Sequence, residues 1–257
     1  GVLINHAISQ GANNLILCVG GSASVDGGIG ALREMGLTIV NNSPNRNYIT
    51  DIKGINTELL QQKFKEIHIT ILCDVDNPIC GPEGAAAVFA PQKGASPEQI
   101  IMLDNQLCLW SDLLKQNTGK DITQLKHGGA AGGITAAMYA LLNAQLISGS
   151  EYCLTLSRFH DNLLQAGVVI TGEGKIDLQS FYGKIPGTVA NLCQKHNVPV
   201  YAVVGLAEKQ VLTRFDKVFI MSQYTRSIQD SIKNAPHYLK IISQAIVDTL
   251  YLSAYSD

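Results

Sequence analysis

Leu15-Ile-Leu-Cys-Val-Gly-Gly-Ser-Ala-Ser-Val-Asp-Gly-Gly28 is the stretch whose reading decides the fold class. Leu15–Val19 is an apolar run that reads as a buried strand. The glycine-rich turn behind it carries two serines and an aspartate, and a helix pattern follows. A strand that passes through a glycine turn into a helix is the building unit of an α/β fold. Such a turn lets main-chain N–H groups converge on an anion, and the next helix adds partial positive charge from its N-terminus. The plain reading is a cradle for a phosphate or a carboxylate.

Outward from this unit, the same alternation recurs. Before it, Gly1–Ile8 shows helical apolar spacing, without an initiator methionine, so the chain is expected to be a piece of something longer. After it, residues 41–66 are polar and end in an amphipathic segment near Glu58–Glu66. Ile67–Cys73 reads as a buried strand ending at Asp74. Glu83–Phe89 reads as a short helix. Ser96 caps a long one, with Pro97 at its first position and an inner face running to about Gln116. His127-Gly-Gly-Ala-Ala-Gly-Gly133 opens an alanine-rich helix to about Asn143. Asn162–Ala166 closes a helix, Gly167–Thr171 is a strand, and a helix spans about Gly187 to His196. Val200–Val204 is a strand stopped by Gly205, Val218–Met221 is another, and a helix from about Tyr238 to Leu252 ends the chain. A division into residues 1–160 and 161–257 is expected, because only the last hundred residues repeat as regular βα units.

Bulk properties exclude several classes. With 46% hydrophobic residues and no run of eighteen apolar ones, nothing spans a membrane as a helix. A formal net charge of −2 without a basic cluster argues against a nucleic-acid partner. The six cysteines show neither CxxC nor zinc spacing, so buried free thiols in a reducing cytoplasm are expected, with Cys18, Cys73 and Cys153 in or beside apolar runs.

The candidate chemistry lies in four loops, 20–28, 74–84, 128–133 and 172–184. Each mixes glycine with carboxylate, hydroxyl or lysine, and in open α/β sheets ligands gather at the carboxyl ends of strands. Neither GxGxxG as a strand–turn–helix unit nor GxxxxGK[ST] is present, which disfavours a dinucleotide-dependent oxidoreductase. Within 172–184, Lys175 and Lys184 suit the neutralisation of a transferring phosphoryl group. Glu173 and Asp177 are candidate Mg²⁺ ligands or a base, with Gly172 and Gly174 beside them. Asp74 ends a strand and is the better catalytic candidate of its loop, with Asn77 close behind; Asp76 reads rather as part of a turn before Pro78. Gly20, Gly21, Ser22, Ser24 and Gly27 form the first cradle. Gly129 and Gly132 either bind an anion or allow close packing. Asp26 either caps the next helix or acts on a ligand. His127 is the only histidine in a candidate loop.

Taken together, Gly20–Gly28, Cys73-Asp-Val-Asp-Asn-Pro-Ile-Cys-Gly-Pro-Glu-Gly-Ala85, Phe89-Ala-Pro-Gln-Lys-Gly-Ala95, Gly129–Gly133 and Thr171-Gly-Glu-Gly-Lys-Ile-Asp-Leu-Gln-Ser180 resemble the bacterial glycerate kinase family in order and spacing. The resemblance implies transfer of a phosphoryl group from ATP, with Mg²⁺, to D-glycerate, with 2-phosphoglycerate as the favoured product. It implies two α/β domains flanking a cleft. One resembles a permuted flavodoxin-like fold built from both ends of the chain, and it would be incomplete here. Under it the glycine loops hold phosphates or the glycerate carboxylate, Lys175 and Lys184 neutralise charge, and Asp74, Glu173 or Asp177 serve metal and base. Four positions depart from the pattern of the family it resembles: Val25 stands for an amide side chain, His127 and Thr135 for glycines, and Lys175 for arginine, which loses a bidentate fork. These departures keep a second reading open, a nucleotide- or acid-binding fragment or paralogue with impaired catalysis.

Overall fold

A computed structural model of the chain describes residues 1–41, 52–181 and 183–254; residues 42–51 of the polar stretch lie outside them. The chain divides into two compact units, Gly1–Tyr152 and Cys153–Asp257. Parallel sheets with flanking helices make it the α/β protein that the alternating pattern predicts.

In the first unit, α1 (Val2–Ser9) leads into β1 (Asn14–Cys18), α2 (Ile29–Met35), β2 (Thr38–Asn41), β3 (Ile52–Asn56), α3 (Glu58–Phe64) and β4 (His68–Cys73). Then come α4 (Ala85–Phe89), α5 (Pro97–Thr118), α6 (Ile134–Leu142), β5 (Gln145–Ser148) and α7 (Gly149–Leu156), the last of which crosses the division. The main sheet has the order β1-β4-β5, all parallel, while β2 and β3 form a separate antiparallel pair. The central strand β4 buries Ile69, Ile71 and Cys73, as the alternation of its sequence requires. The long helix α5 begins at a capping box: Ser96 Oγ accepts from Gln99 N at 3.3 Å, and Gln99 Oε1 accepts from Ser96 N at 2.8 Å. It ends at Gly119, whose φ of 73° suits a residue without a Cβ. Leu107, Trp110 and Leu114 on its inner face are fully buried in the core.

The second unit contains α8 (Phe159–Leu163), β6 (Val169–Ile176), α9 (Ile185–Lys195), β7 (Val200–Ala207), β8 (Lys217–Ile220), α10 (Ile228–Lys233) and α11 (Ala235–Ala254). Its sheet is parallel in the order β6-β7-β8. Two expectations are corrected here. Gly172–Ile176 is strand rather than loop, and β7 does not stop at Gly205. The pairing runs from Val169↔Val200 to Ile176↔Ala207. Glycine permits it: a Cβ on Gly172 would lie 2.7 Å from Val203 O, and one on Gly205 would lie 2.4 Å from Gly174 O.

All six cysteines are free, and Cys73, Cys80 and Cys193 are buried. Cys18 and Cys153 are exposed, contrary to their apolar neighbourhoods in sequence. Cys18 is the last residue of β1 and Cys153 lies on α7, where neither is covered. Among the described residues no helix is long and apolar enough to cross a membrane.

Candidate active site

The first cluster forms at the carboxyl ends of β1 and β4. There Gly20, Gly21, Ser22 and Asp74 line a cavity of about 200 Å³ together with Leu72, Phe89 and Ala131. Lys93, which sequence reading left out of the site, completes its wall. It sits on a 3₁₀ turn (Pro91–Lys93) after α4. Its Nζ donates to Ser24 O at 2.7 Å and to Ser22 Oγ at 3.0 Å. Burial pulls the Lys93 ammonium below the ordinary lysine range, and the nearby Asp26 charge opposes that.

Asp26, Gly27, Gly129, Gly132 and Asn77 build these loops without lining the cavity. Asp26 caps α2: Oδ1 accepts from Gly28 N at 3.0 Å and Oδ2 from Gly30 N at 3.1 Å. Gly27, at φ 63°, presses against the indole of Trp110; a Cβ there would lie 2.4 Å from Trp110 Cδ1. Trp110 Nε1 donates to Gly27 O at 3.1 Å, which fastens the glycine loop to the core. Gly132 O accepts from Gly27 N at 2.9 Å. A Cβ on Gly132 would meet Ser24 O at 2.2 Å, and one on Gly129 would meet Pro78 O at 2.2 Å. Gly129 and Gly132 therefore stand where loops press together backbone to backbone. Asn77 Nδ2 donates to Glu83 O at 2.8 Å, bracing its own loop.

His127 and Thr135 support each other. His127 takes a positive φ of 68°, a conformation histidine tolerates better than most residues. Its Nδ1 lies 2.7 Å from Val75 O and so carries the proton, and 3.3 Å from Asp76 Oδ1. Asp76 also pairs with Lys126 at 3.4 Å. Thr135, fully buried, has its hydroxyl 2.7 Å from His127 O and 2.9 Å from Gly128 O. Both side chains hold this turn in place. Cys73, directly before Asp74, has its thiol pushed up to about 12 by burial and then by the Asp74 charge. It is a neutral packing group.

The second cluster forms where β6 ends. Lys175 Nζ lies 3.1 Å from Asp177 Oδ2 and 3.3 Å from Glu208 Oε1. Lys184, at the N-cap position of α9, lies 3.5 Å from Glu173 Oε1. Ser180 is fully buried and ties the two carboxylates together. Its Oγ donates to Glu173 Oε2 at 3.1 Å and accepts from Asp177 N at 3.2 Å, while its N donates to Asp177 Oδ1 at 3.2 Å. The hydrogen bond from Lys175 holds the Asp177 carboxyl below the usual carboxylate range. The same contact, with Glu208, raises Lys175. Glu208 and Ser180 were not legible as partners, because β7 delivers the former and a buried hydroxyl the latter. Gly172 and Gly174 line a separate apolar trough of about 930 Å³ between the sheet and α11, in which Glu173 is the only charged residue.

The chain matches the glycerate kinase family over residues 1–251. It is 37% identical over 210 residues to the glycerate kinase of Halalkalibacterium halodurans, covering 80% of this chain and 55% of that protein. It is 38% identical over 210 residues to the glycerate 2-kinase of Escherichia coli K12, with the same coverage. The chain thus spans little more than half the length of these curated relatives. A solved structure from Salmonella typhimurium LT2, described as "putative glycerate kinase 2", superposes with a TM-score of 0.77 at 35% identity, covering 98% of this chain and 68% of that one.

Proposed function

Because this chain belongs to the glycerate kinase family, we propose that the protein it comes from transfers the γ-phosphoryl group of ATP to D-glycerate, at the 2-hydroxyl. The observation that carries this reading is the presence, in each unit, of a polar cluster at the carboxyl ends of parallel strands, one an anion cradle with a carboxylate in its wall, the other rich in lysine–carboxylate pairs. Phosphoryl transfer asks little covalent chemistry of a protein; it needs positioning and neutralisation of charge.

In this reading Asp74 accepts the proton of the attacking hydroxyl. It is exposed at the end of β4, so its carboxylate is available to a substrate. Lys175 and Lys184 turn from their carboxylate partners toward phosphate oxygens, which compete well for an ammonium. Glu173 and Asp177 offer hard oxygen donors, the chemistry that suits Mg²⁺. No cluster of three or more His, Cys, Asp or Glu side chains is arranged for a metal among the described residues. Two carboxylates completed by phosphate oxygens is nevertheless the usual way Mg²⁺ is held in such enzymes. Bound there, it would offset charge on the phosphates. A cytoplasmic setting accords with ATP as donor and with six free thiols.

The test is a coupled ADP-release assay on the full-length protein with D-glycerate and Mg-ATP, followed by phosphorus NMR of the product. Glycerate-dependent release giving 2-phosphoglycerate is expected. Formation of 3-phosphoglycerate would overturn the choice of hydroxyl, and ADP release indifferent to glycerate would overturn the activity.

A further inference from the structure

We infer that Lys93 receives the carboxylate of the acid substrate, and that the small cavity it closes is the acid subsite. The inference rests on the proposed phosphorylation of glycerate and says which end of the molecule goes where.

The geometry of Lys93 is that of a cation held ready. An ammonium has three N–H donors. Two are spent on Ser24 O and Ser22 Oγ, which fix the head group over the glycine loop and leave the third. Lys115, Lys126, Lys175 and Lys184 each lie within 4 Å of a carboxylate; among the described residues Lys93 has no such partner. Half-buried, with no carboxylate within 4 Å and the Asp26 charge farther off, it gains from an incoming anion more than an exposed lysine would. The loop beneath it adds to the same polarity. The N–H groups of Gly20 and Gly21 donate to no protein acceptor among the described residues, and both line the cavity.

Size decides which anion. The cavity holds about 200 Å³, whereas pockets for drug-sized ligands run from roughly 300 to 1,000 Å³. A nucleotide is too large, and a three-carbon hydroxy acid is not. Polarity then orients the acid. Its carboxylate goes to Lys93 and the Gly20–Gly21 amides, and Asp74 on the same wall repels that end and accepts a hydrogen bond from a hydroxyl. The lysine thus selects acids over neutral alcohols, and Asp74 meets the group that reacts.

A lysine that merely fastened the 3₁₀ turn to the glycine loop would show the same two hydrogen bonds, so the test reads selectivity. In the full-length protein, Lys93→Met should raise KM for D-glycerate by about 10- to 100-fold, the range of one charge-assisted hydrogen bond, with KM for ATP within about twofold. Its preference for D-glycerate over the neutral glyceramide should collapse, and Lys93→Arg should restore part of it. An unchanged KM for glycerate, a KM increase for ATP instead, or a preserved preference over glyceramide would overturn the inference. If Lys93→Met does not fold, the unaltered protein still decides: lactate should compete with glycerate and lactamide should not, and equal competition overturns it. If the unaltered protein does not phosphorylate glycerate, the functional reading falls separately. Calorimetric titration with D-glycerate then carries the question, with binding lost in Lys93→Gln in support and equal or absent binding in both proteins against.

Discussion

The two polar clusters handle charge in opposite ways. In the first unit a single lysine stands over main-chain amides with no carboxylate within 4 Å among the described residues, in a cavity of about 200 Å³. In the second, two lysines and three carboxylates satisfy one another around a buried serine. A cradle whose cation is tied to no carboxylate within 4 Å attracts a small anion without first breaking an ion pair. A paired network instead must exchange partners when a ligand arrives, so it discriminates by how strongly the ligand's oxygens compete, and phosphate competes well. Under the proposed function, the contrast assigns recognition of the acid to the first cluster and handling of the phosphoryl donor to the second.

The largest expected effect tests the second cluster. Lys184→Ala should lower kcat by about 10²- to 10³-fold, the cost of losing one preorganised charge-stabilising donor. Its thermal midpoint should hardly move, because the side chain is half exposed and its ion pair contributes little. An effect confined to KM for D-glycerate would erase the distinction between the clusters. Next in size is a stability effect in the first. Gly27→Ala forces a side chain into a left-handed conformation and into the Trp110 ring, which together cost about 2–4 kcal/mol. Gly174→Ala in the second cluster meets nothing within 4 Å and should cost less than about 1 kcal/mol. Urea unfolding of both variants checks the pair; equal losses would mean the first loop is not anchored as described. Ser180→Ala removes the bridge between Glu173 and Asp177 and leaves their partly buried groups short of a partner. A loss of about 1–3 kcal/mol is expected in the same experiment.

The smallest effect concerns pH. The carboxyl of Asp177 is held below its ordinary value by Lys175. Its contribution to stability is therefore fully present above the ordinary carboxylate pKa of about 4 and is lost as pH falls through the lower folded value. Asp177→Asn should flatten the acid side of the stability profile below about pH 4. A slope unchanged there, measured by thermal unfolding across pH, would separate Asp177 from the network.

Much of this was legible in the sequence, for local reasons. The apolar runs of β1 and β4 and the capping box of α5 announce themselves within a few residues, and the glycine loops mark the carboxyl ends of strands. What escaped depends on distant partners. Gly172 and Gly205 read as turn residues, yet they allow β6 and β7 to approach closely and continue. The strand β5, four residues long with only Leu146 and Ile147 apolar, carries too little pattern to stand out. Lys93 stands in the Phe89–Ala95 motif, but nothing in that stretch gave the lysine a role of its own; its contacts are with Ser22 and Ser24, some seventy positions earlier. Asp26 allowed two readings in sequence, and its carboxylate accepts from Gly28 N and Gly30 N at the start of α2.

The division of labour can be read directly from amide shifts in the full-length protein labelled with nitrogen-15. Titration with D-glycerate should move the resonances of Gly20, Gly21 and Ser22 first, and titration with Mg-ATP those of Glu173, Lys175 and Lys184. Glycerate acting on 173–184 while leaving 20–22 unmoved would contradict the account.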